Sequence, residues 1–310
     1  MANDVQANYR TKVTKPDDFD AFWQGVLQEV KATPLAPEVV PDPLRTSADI
    51  EVFQVFYTSL DQVRIAAWYC RPTRRPERTP ALLVLPGYQM DPPIPKEWAR
   101  QGYLALSVAP RGKLRSNRQF NPGYPNLLTY NIVDRHTYAY RGFYVDAWRG
   151  IDVLLSRPEV DPSRIGVTGS SQGGGLTITT AAIRPEVRAA AAGAPYLCGF
   201  WDAIDLTHTY PYEEINDYLR LHPDSRPAVV ETLAYFDGIN FADQIPCPII
   251  VNIGLQDNVC PPETGYALFN KIGAPDKRLY TYSGHGHDAG RHQHSAIVER
   301  FFAHHLRGER

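Results

Sequence analysis

The sequence has few cysteines and lacks a long apolar run, a tract of like charge and a signal-like N-terminus. Its four cysteines lie far apart and form no CxxC pair, so we expect free thiols in a reducing cytoplasm. The stretch "MANDVQANYR" has no apolar core of a signal peptide, and no segment approaches the ~20 apolar residues of a membrane span. Its 32 basic and 34 acidic residues favour no nucleic-acid surface. We therefore expect a cytoplasmic protein without a membrane or nucleic-acid partner.

Apolar runs that alternate with helical segments are the main pattern that the sequence does contain. Continuous apolar runs are typical of strands buried on both faces, as in a parallel sheet. These runs are residues 81–88, 103–110, 164–170 and 247–255. Apolar residues at helical spacing fill segments between them, for example 144–157 and 263–273. The alternation predicts one doubly wound α/β domain over residues 1–310.

Two segments extend this pattern. The apolar residues of 15–32 fall at helical spacing and predict an N-terminal helix, and "IEVFQVFYTS" and "VRIAAWYC" flank "LDQ" as the strands of a hairpin. Residues 198–243 interrupt the alternation and are rich in Tyr, Pro and acids. We expect this stretch to be an insertion able to cover a site.

The stretch "RIGVTGSSQGGG" (164–175) carries the first candidate for chemistry. Its residues 169–173 fit the G-x-S-x-G pattern with Ser171 at the centre, whereas Ser170 has no glycine two residues before it. In this pattern a strand turns sharply into a helix and lifts the serine hydroxyl clear of the sheet. A P-loop is excluded because no Lys-Ser/Thr follows, and a dinucleotide fingerprint lacks its second spaced glycine. An ordinary glycine-rich turn stays the alternative.

The remaining members of a Ser-His-Asp triad follow Ser171 in the order found in hydrolase folds. Asp257 comes just after the strand "CPIIVNIGL", although it would also suit a cap for the helix near Glu263. The stretch "RLYTYSGHGHDAG" supplies His285 and His287 after the last strand. The G-x-G-H setting favours His287 as the base, because glycines let the backbone turn back toward the serine. His285 is the second candidate.

The histidine-rich stretch also permits a metal hypothesis. Its possible ligands are His285, His287, Asp288, His292 and His294. Their spacing matches no catalytic zinc motif, and a serine triad explains one histidine without a metal. We therefore expect no metal.

With these residues in view, the chain resembles the acetyl xylan esterase / cephalosporin-C deacetylase family (carbohydrate esterase family seven). The segments that carry the resemblance are "KPDDFDAFW", "LPGY", "TYAYRGFYVDAWR", "DPSRIGVTGSSQGGGL", "YPYEEINDYL", "TLAYFDGINFA" and "GLQDNVCPPET". The resemblance implies an α/β-hydrolase fold with an N-terminal extension and an insertion before the acid loop. It also implies a homo-hexamer whose active sites face an interior cavity.

For the chemistry, the resemblance implies release of acetate from small acetylated sugars such as xylo-oligosaccharides, and from cephalosporin C, without a cofactor. Ser171 would be the nucleophile, His287 the general base and Asp257 its orienting acid. The backbone N–H groups of Tyr88 and Gln172 would form the oxyanion hole. Tyr88 would also contact the substrate, together with Pro211 in a loop that limits the acyl pocket.

The sequence departs from the family pattern at three positions. The family's Arg-Gly-Gln stands here as Arg111-Gly112-Lys113, its His-Glu stands as His287-Asp288, and Tyr130 replaces a usual arginine. An ammonium group cannot supply the acceptor oxygen of an amide, so the hydrogen bonds around Arg111 cannot be carried over from the family.

Two other functions remain open at this point. One is a broader carboxylesterase that acts on short acyl esters of other alcohols. The other is a hydrolase-fold binding protein that has lost catalysis, and the complete triad argues against it.

Overall fold

A nine-stranded sheet is the central element of the computed structural model, which describes residues 7–309. Its strands are β1 (Glu38–Pro41), β2 (Ile50–Thr58), β3 (Arg64–Pro72), β4 (Thr79–Leu85), β5 (Leu104–Ala109), β6 (Val160–Ser170), β7 (Val187–Gly193), β8 (Ile249–Gly254) and β9 (Lys277–Tyr282). They lie in the order β1-β2-β3-β5-β4-β6-β7-β8-β9. Strands β1 to β3 pair antiparallel, β3 is antiparallel to β5, and β4 to β9 are all parallel.

Helices cover the sheet and build the inserted segment. They are α1 (Phe19–Ala32), α2 (Lys96–Arg100), α3 (Ala139–Leu155), α4 (Gln172–Ile183), α5 (Phe200–Leu206), α6 (Glu213–Leu221), α7 (Arg226–Phe236), α8 (Pro262–Lys271) and α9 (Arg291–Arg307). Helices α5, α6 and α7 belong to the insertion between β7 and β8. The mostly parallel sheet, the β2–β3 hairpin and the N-terminal helix are confirmed, and the fold is that of an α/β hydrolase.

The N-terminal helix is anchored by Trp23, which is 2% exposed. Its ring packs edge-on against Trp148 of α3, with ring centroids 5.0 Å apart, and also contacts Phe236 of α7. The indole N–H donates a hydrogen bond to the carbonyl oxygen of Tyr235 at 2.9 Å. A large aromatic ring buries much apolar surface and needs a partner for its N–H, and Trp23 satisfies both conditions. Phe236 also packs against Tyr144 of α3, so the extension and the insertion both lie on this helix.

The parallel half of the sheet decides where a site can form. Strands β4 to β9 all end at the same edge, so the loops that follow them are neighbours there. The four cysteines are buried and free. Across residues 7–309 no helix combines the length and the apolarity that a membrane span needs.

Candidate active site

Ser171 lies at the junction of β6 and α4 in a strained turn. Its backbone has φ 59° and ψ −122°, a left-handed region that non-glycine residues rarely adopt. The Ser171 N–H donates to the carbonyl of Gly193 at 2.9 Å, and its carbonyl accepts from Gly175 at 3.1 Å. Ser170, by contrast, is the last residue of β6 and pairs with Gly193 in the regular register of the sheet. Of the two serines, Ser171 alone occupies the strand-to-helix elbow.

The glycines of the elbow are needed because backbones meet there. A Cβ atom on Gly169 would lie 2.6 Å from the carbonyl oxygen of Gly173. A Cβ atom on Gly173 would lie 2.1 Å from the carbonyl oxygen of Leu85, at the end of β4. The first turn of α4 therefore packs directly against the ends of two neighbouring strands. This close approach explains the G-x-S-x-G pattern in physical terms.

Asp257 and His287 form a hydrogen-bonded pair beyond β8 and β9. The Asp257 side chain is 1% exposed, and one of its oxygens accepts the backbone N–H groups of Val259 and Cys260 at 2.8 and 2.9 Å. Its other oxygen lies 2.8 Å from His287 Nδ1. A neutral imidazole that donates from Nδ1 keeps Nε2 free to accept a proton. The pair has the arrangement that a general base requires.

His285 has a different carboxylate partner. Its Nδ1 lies 2.7 Å from Asp288 Oδ2, and this hydrogen bond lowers the pKa of the Asp288 carboxyl. Asp288 follows His287 in the chain but pairs with the other histidine. The alternative role of Asp257 as a helix cap is not seen, because α8 begins at Pro262 and Asp257 binds the amides before it.

Asn252 anchors the loop of residues 283–290, which carries His285 and His287. This role of Asn252 was not predicted from the sequence. It lies in β8, is 7% exposed, and donates its side-chain N–H to the carbonyl of Ala289 at 2.6 Å. At the end of the same strand, a Cβ atom on Gly254 would lie 2.0 Å from the carbonyl oxygen of Gly286. The loop is thus held against β8 at two points. A polar asparagine inside an otherwise apolar strand was the available signal.

Tyr88 and Gln172 follow adjacent strands of the sheet, Tyr88 in the loop after β4 and Gln172 in the helix after β6. Gln172 is the first residue of α4, where backbone N–H groups have no acceptor within the helix. Among the hydrogen bonds of residues 7–309, neither backbone N–H serves as a donor. The positive end of the α4 dipole lies at Gln172, and it favours a negative charge that develops beside this N–H group.

The insertion holds the side chain of Tyr88. Its hydroxyl donates to Glu214 of α6 at 2.6 Å and accepts the Leu128 N–H at 3.2 Å. The second oxygen of Glu214 accepts the Asn126 N–H at 3.0 Å. Burial raises the pKa of the Glu214 carboxyl and of the Tyr88 hydroxyl. Pro211 is buried just before α6, and its carbonyl accepts the Glu214 N–H at 3.1 Å, so its loop adjoins the residues that hold Tyr88.

Arg111 finds carboxylate partners in place of an amide. Its backbone N–H, Nε and Nη2 bind the two oxygens of Asp146 at 2.8 to 3.0 Å, and Nη1 binds Asp61 at 3.0 Å. Gly142 of α3 leaves room for the guanidinium, because a Cβ atom there would lie 2.1 Å from it. The hydrogen bonds of Arg111 therefore do not depend on the residue at position 113. Tyr130 is 45% exposed and packs on Phe120.

The side chain of Lys113 reaches the loop after β4. Its ammonium group donates to the carbonyl oxygens of Gly87 and Tyr88. The residue is 1% exposed. Burial lowers the pKa of Lys113 to about 7, and the charge of Asp91 partly opposes this shift. The departure from the family pattern thus lies beside a proposed oxyanion donor.

The five residues of the metal hypothesis do not converge. Within the described residues, the one group of three possible ligands with atoms inside 4.8 Å is Asp257, Cys260 and His287. Asp257 and His287 are hydrogen-bonded to each other. Burial raises the pKa of the Cys260 thiol and so disfavours the thiolate form that binds a metal. His294 instead lies 2.9 Å from the hydroxyl of Tyr282, and burial lowers its pKa to about 4.

One family profile matches nearly the whole chain. The profile of the acetyl xylan esterase (AXE1) family matches residues 1–305. The acetyl esterase Axe7A of Xylanibacter ruminicola is 32% identical over 279 residues, which make up 86% of this chain and 62% of that protein. The chain thus spans less than two thirds of the length of this curated relative.

Two solved structures superpose closely on the chain. The acetyl xylan esterase from Paenibacillus sp. R4 has a TM-score of 0.92 and 32% identity, with 99% of this chain and 100% of that chain covered. Acetyl xylan esterase 1 from Thermoanaerobacterium sp. JW/SL YS485 has a TM-score of 0.90 and 27% identity, with 97% and 98% covered. The similarity extends over the N-terminal extension and the insertion as well as the sheet.

Proposed function

The chain belongs to the acetyl xylan esterase family, and from this premise we propose that it is a serine esterase that removes acetyl groups from O-acetylated xylo-oligosaccharides. One observation carries the proposal. The edge of the sheet that presents the strained Ser171 elbow after β6 also presents the buried Asp257–His287 pair after β8 and β9. A serine hydroxyl and an imidazole base oriented by a carboxylate are the groups that this kind of acyl transfer uses.

Acylation would begin with the Ser171 hydroxyl. His287 Nε2 takes the hydroxyl proton while Oγ forms a bond to the acetyl carbonyl carbon. The carbonyl oxygen becomes an oxyanion, which accepts hydrogen bonds from the backbone N–H groups of Tyr88 and Gln172. The imidazolium, stabilised by Asp257, then gives its proton to the sugar oxygen as the C–O bond breaks. The sugar leaves as an alcohol, and the acetyl group stays on Ser171.

Deacylation would repeat these steps with water. His287 removes a proton from water, whose oxygen attacks the acetyl carbonyl, and the proton is returned to Ser171 Oγ when the ester bond breaks. The products are acetic acid, ionised at neutral pH, and the free serine. No cofactor enters these steps. Tyr88, fixed by Glu214, and the loop of Pro211 would limit the acyl pocket and favour acetyl over longer groups.

Acetate release from acetylated xylo-oligosaccharides tests this function. Ser171→Ala should lose a factor of about 10⁶ in kcat, by analogy with a well-studied serine hydrolase. Ser170→Ala is the matched control and should remain active, because Ser170 lies in the regular strand. Cephalosporin C and acetylated glucose belong in the same panel, since either alcohol is compatible with the proposed mechanism. Loss of activity in Ser170→Ala alone would contradict the assignment.

The family resemblance also supports a homo-hexamer, and the four buried free cysteines fit a reducing, cytoplasmic setting. Light scattering of the purified protein tests the first proposal. A monomer of 34.9 kDa at assay concentration would contradict it.

A further inference from the structure

We propose that Lys113 is a positioning residue that holds residues 86–88 after β4, the oxyanion loop, from the side opposite the substrate. The inference rests on the proposed function, because it concerns the hydrogen-bond donor supplied by the Tyr88 backbone. It assigns a role to the residue that replaces the family's glutamine.

The topology brings Lys113 to this loop. Strands β4 and β5 are parallel neighbours, so their carboxyl ends lie side by side at the active-site edge. Tyr88 follows β4, and Lys113 follows β5. The start of the Lys113 loop is fixed by backbone hydrogen bonds, from the Lys113 N–H to Pro110 at 3.1 Å and from the Ser116 N–H to Lys113 at 2.8 Å. The long side chain then reaches the loop next to it.

The hydrogen bonds of the ammonium group show which peptide unit it can orient. It donates to the carbonyl oxygens of Gly87 and Tyr88. The Gly87 carbonyl and the Tyr88 N–H belong to one planar trans peptide unit, in which the C=O and N–H bonds point in opposite directions. A hydrogen bond that fixes the carbonyl therefore fixes the direction of the N–H on the other side. It also polarises the peptide and makes the N–H a stronger donor.

The surroundings leave the ammonium few other partners. The rings of Tyr124, Tyr88 and Phe143 lie with their centroids 5.7, 6.0 and 6.0 Å from Nζ. Asp91 is the acidic group whose charge acts on it, yet among the ion pairs of residues 7–309 none includes Lys113. A buried ammonium without a carboxylate pair is unfavourable unless its donors are used. Here they are used on the oxyanion loop.

Lys277 provides a matched control elsewhere in the molecule. Its ammonium group also donates to two backbone carbonyls, those of Phe269 and Ile272, at 3.1 and 2.7 Å, and lies 5.1 Å from the centroid of the Phe269 ring. It lies at the start of β9, on the edge of the sheet opposite the site. Replacing either lysine with methionine removes the same kind of hydrogen bonds and keeps an unbranched side chain of nearly the same length.

Steady-state hydrolysis of an acetyl ester by Lys113→Met, Lys113→Gln and Lys277→Met tests the proposal. We expect Lys113→Met to lower kcat and kcat/KM by the same factor, about 10- to 100-fold, because removing an oxyanion donor outright costs about 10²- to 10³-fold. Lys113→Gln keeps an N–H donor and should recover most of the loss. Lys277→Met should retain the wild-type kcat.

Three results would overturn the role of Lys113: an unchanged kcat in Lys113→Met, a rise in KM alone, or an equal loss in Lys277→Met. Equal losses in Lys113→Met and Lys113→Gln, with both proteins folded by circular dichroism, would also overturn it. The proposed function is judged separately by the wild-type protein and Ser171→Ala. If the wild-type protein releases no acetate, the esterase assignment fails before any lysine variant is compared.

Discussion

Replacing Lys113 by methionine should change how the stability of the protein depends on pH. The pKa of Lys113 falls from 10.5 to about 7 on folding because burial disfavours the charged form. Below pH 7 Lys113 is protonated in both the folded and the unfolded chain, and the buried charge destabilises the folded state to its full extent. Between about pH 7 and 10.5 only the unfolded chain holds it, so the free energy of unfolding rises with pH. Lys113→Met removes this contribution.

The size of the effect follows from the shift. Each pH unit in this interval is worth about 1.4 kcal/mol, and Lys113 is half titrated at pH 7, so the wild type should gain about 2 kcal/mol between pH 7 and 9. Urea unfolding of wild type and Lys113→Met at both pH values, at one protein concentration, measures the gain as a difference of differences. The contributions of groups that titrate alike in both proteins cancel in this difference. A difference that stays constant between pH 7 and 9 would refute the burial of this lysine.

Three further outcomes are expected from activity measurements. His287→Ala should lose nearly all esterase activity and His285→Ala little, because His287 contacts Asp257 whereas His285 contacts Asp288. If initial rates show the reverse order, His285 is the base. Acetyl esters should be hydrolysed faster than octanoyl esters in an acyl pocket bounded by Tyr88 and Pro211, and equal kcat/KM values would favour a broader carboxylesterase. A chelator should leave the rate unchanged, whereas inhibition reversed by zinc would favour the metal hypothesis.

The sequence was informative where a local pattern has one physical cause. The elbow could be predicted because the glycines at 169 and 173 are required by backbone contact, and that contact leaves a motif. The place of Asp257 next to His287 could be predicted because each of the two residues follows a strand of the parallel sheet. The strand β7 escaped prediction, since "VRAAAAG" contains one branched apolar residue and becomes a strand through burial between β6 and β8.

The residues that the sequence did not reveal act across long separations. Glu214 contacts Tyr88 from 126 residues away, and Asn252 contacts Ala289 from 37 residues away. Neither pair has a spacing that a motif search recognises, because both depend on which loops the sheet order brings together. Lys113 was visible as a departure from the family pattern, but its partners became clear from the adjacency of β4 and β5.

Ser171 as an acylated nucleophile is the central claim, and peptide mapping after treatment with a fluorophosphonate tests it most directly. We expect a single adduct on Ser171, formed in step with the loss of esterase activity, because its hydroxyl alone lies at the strained elbow. An adduct on Ser170, or a protein that takes up no label, would contradict the claim, and the second result would favour a binding protein without catalysis.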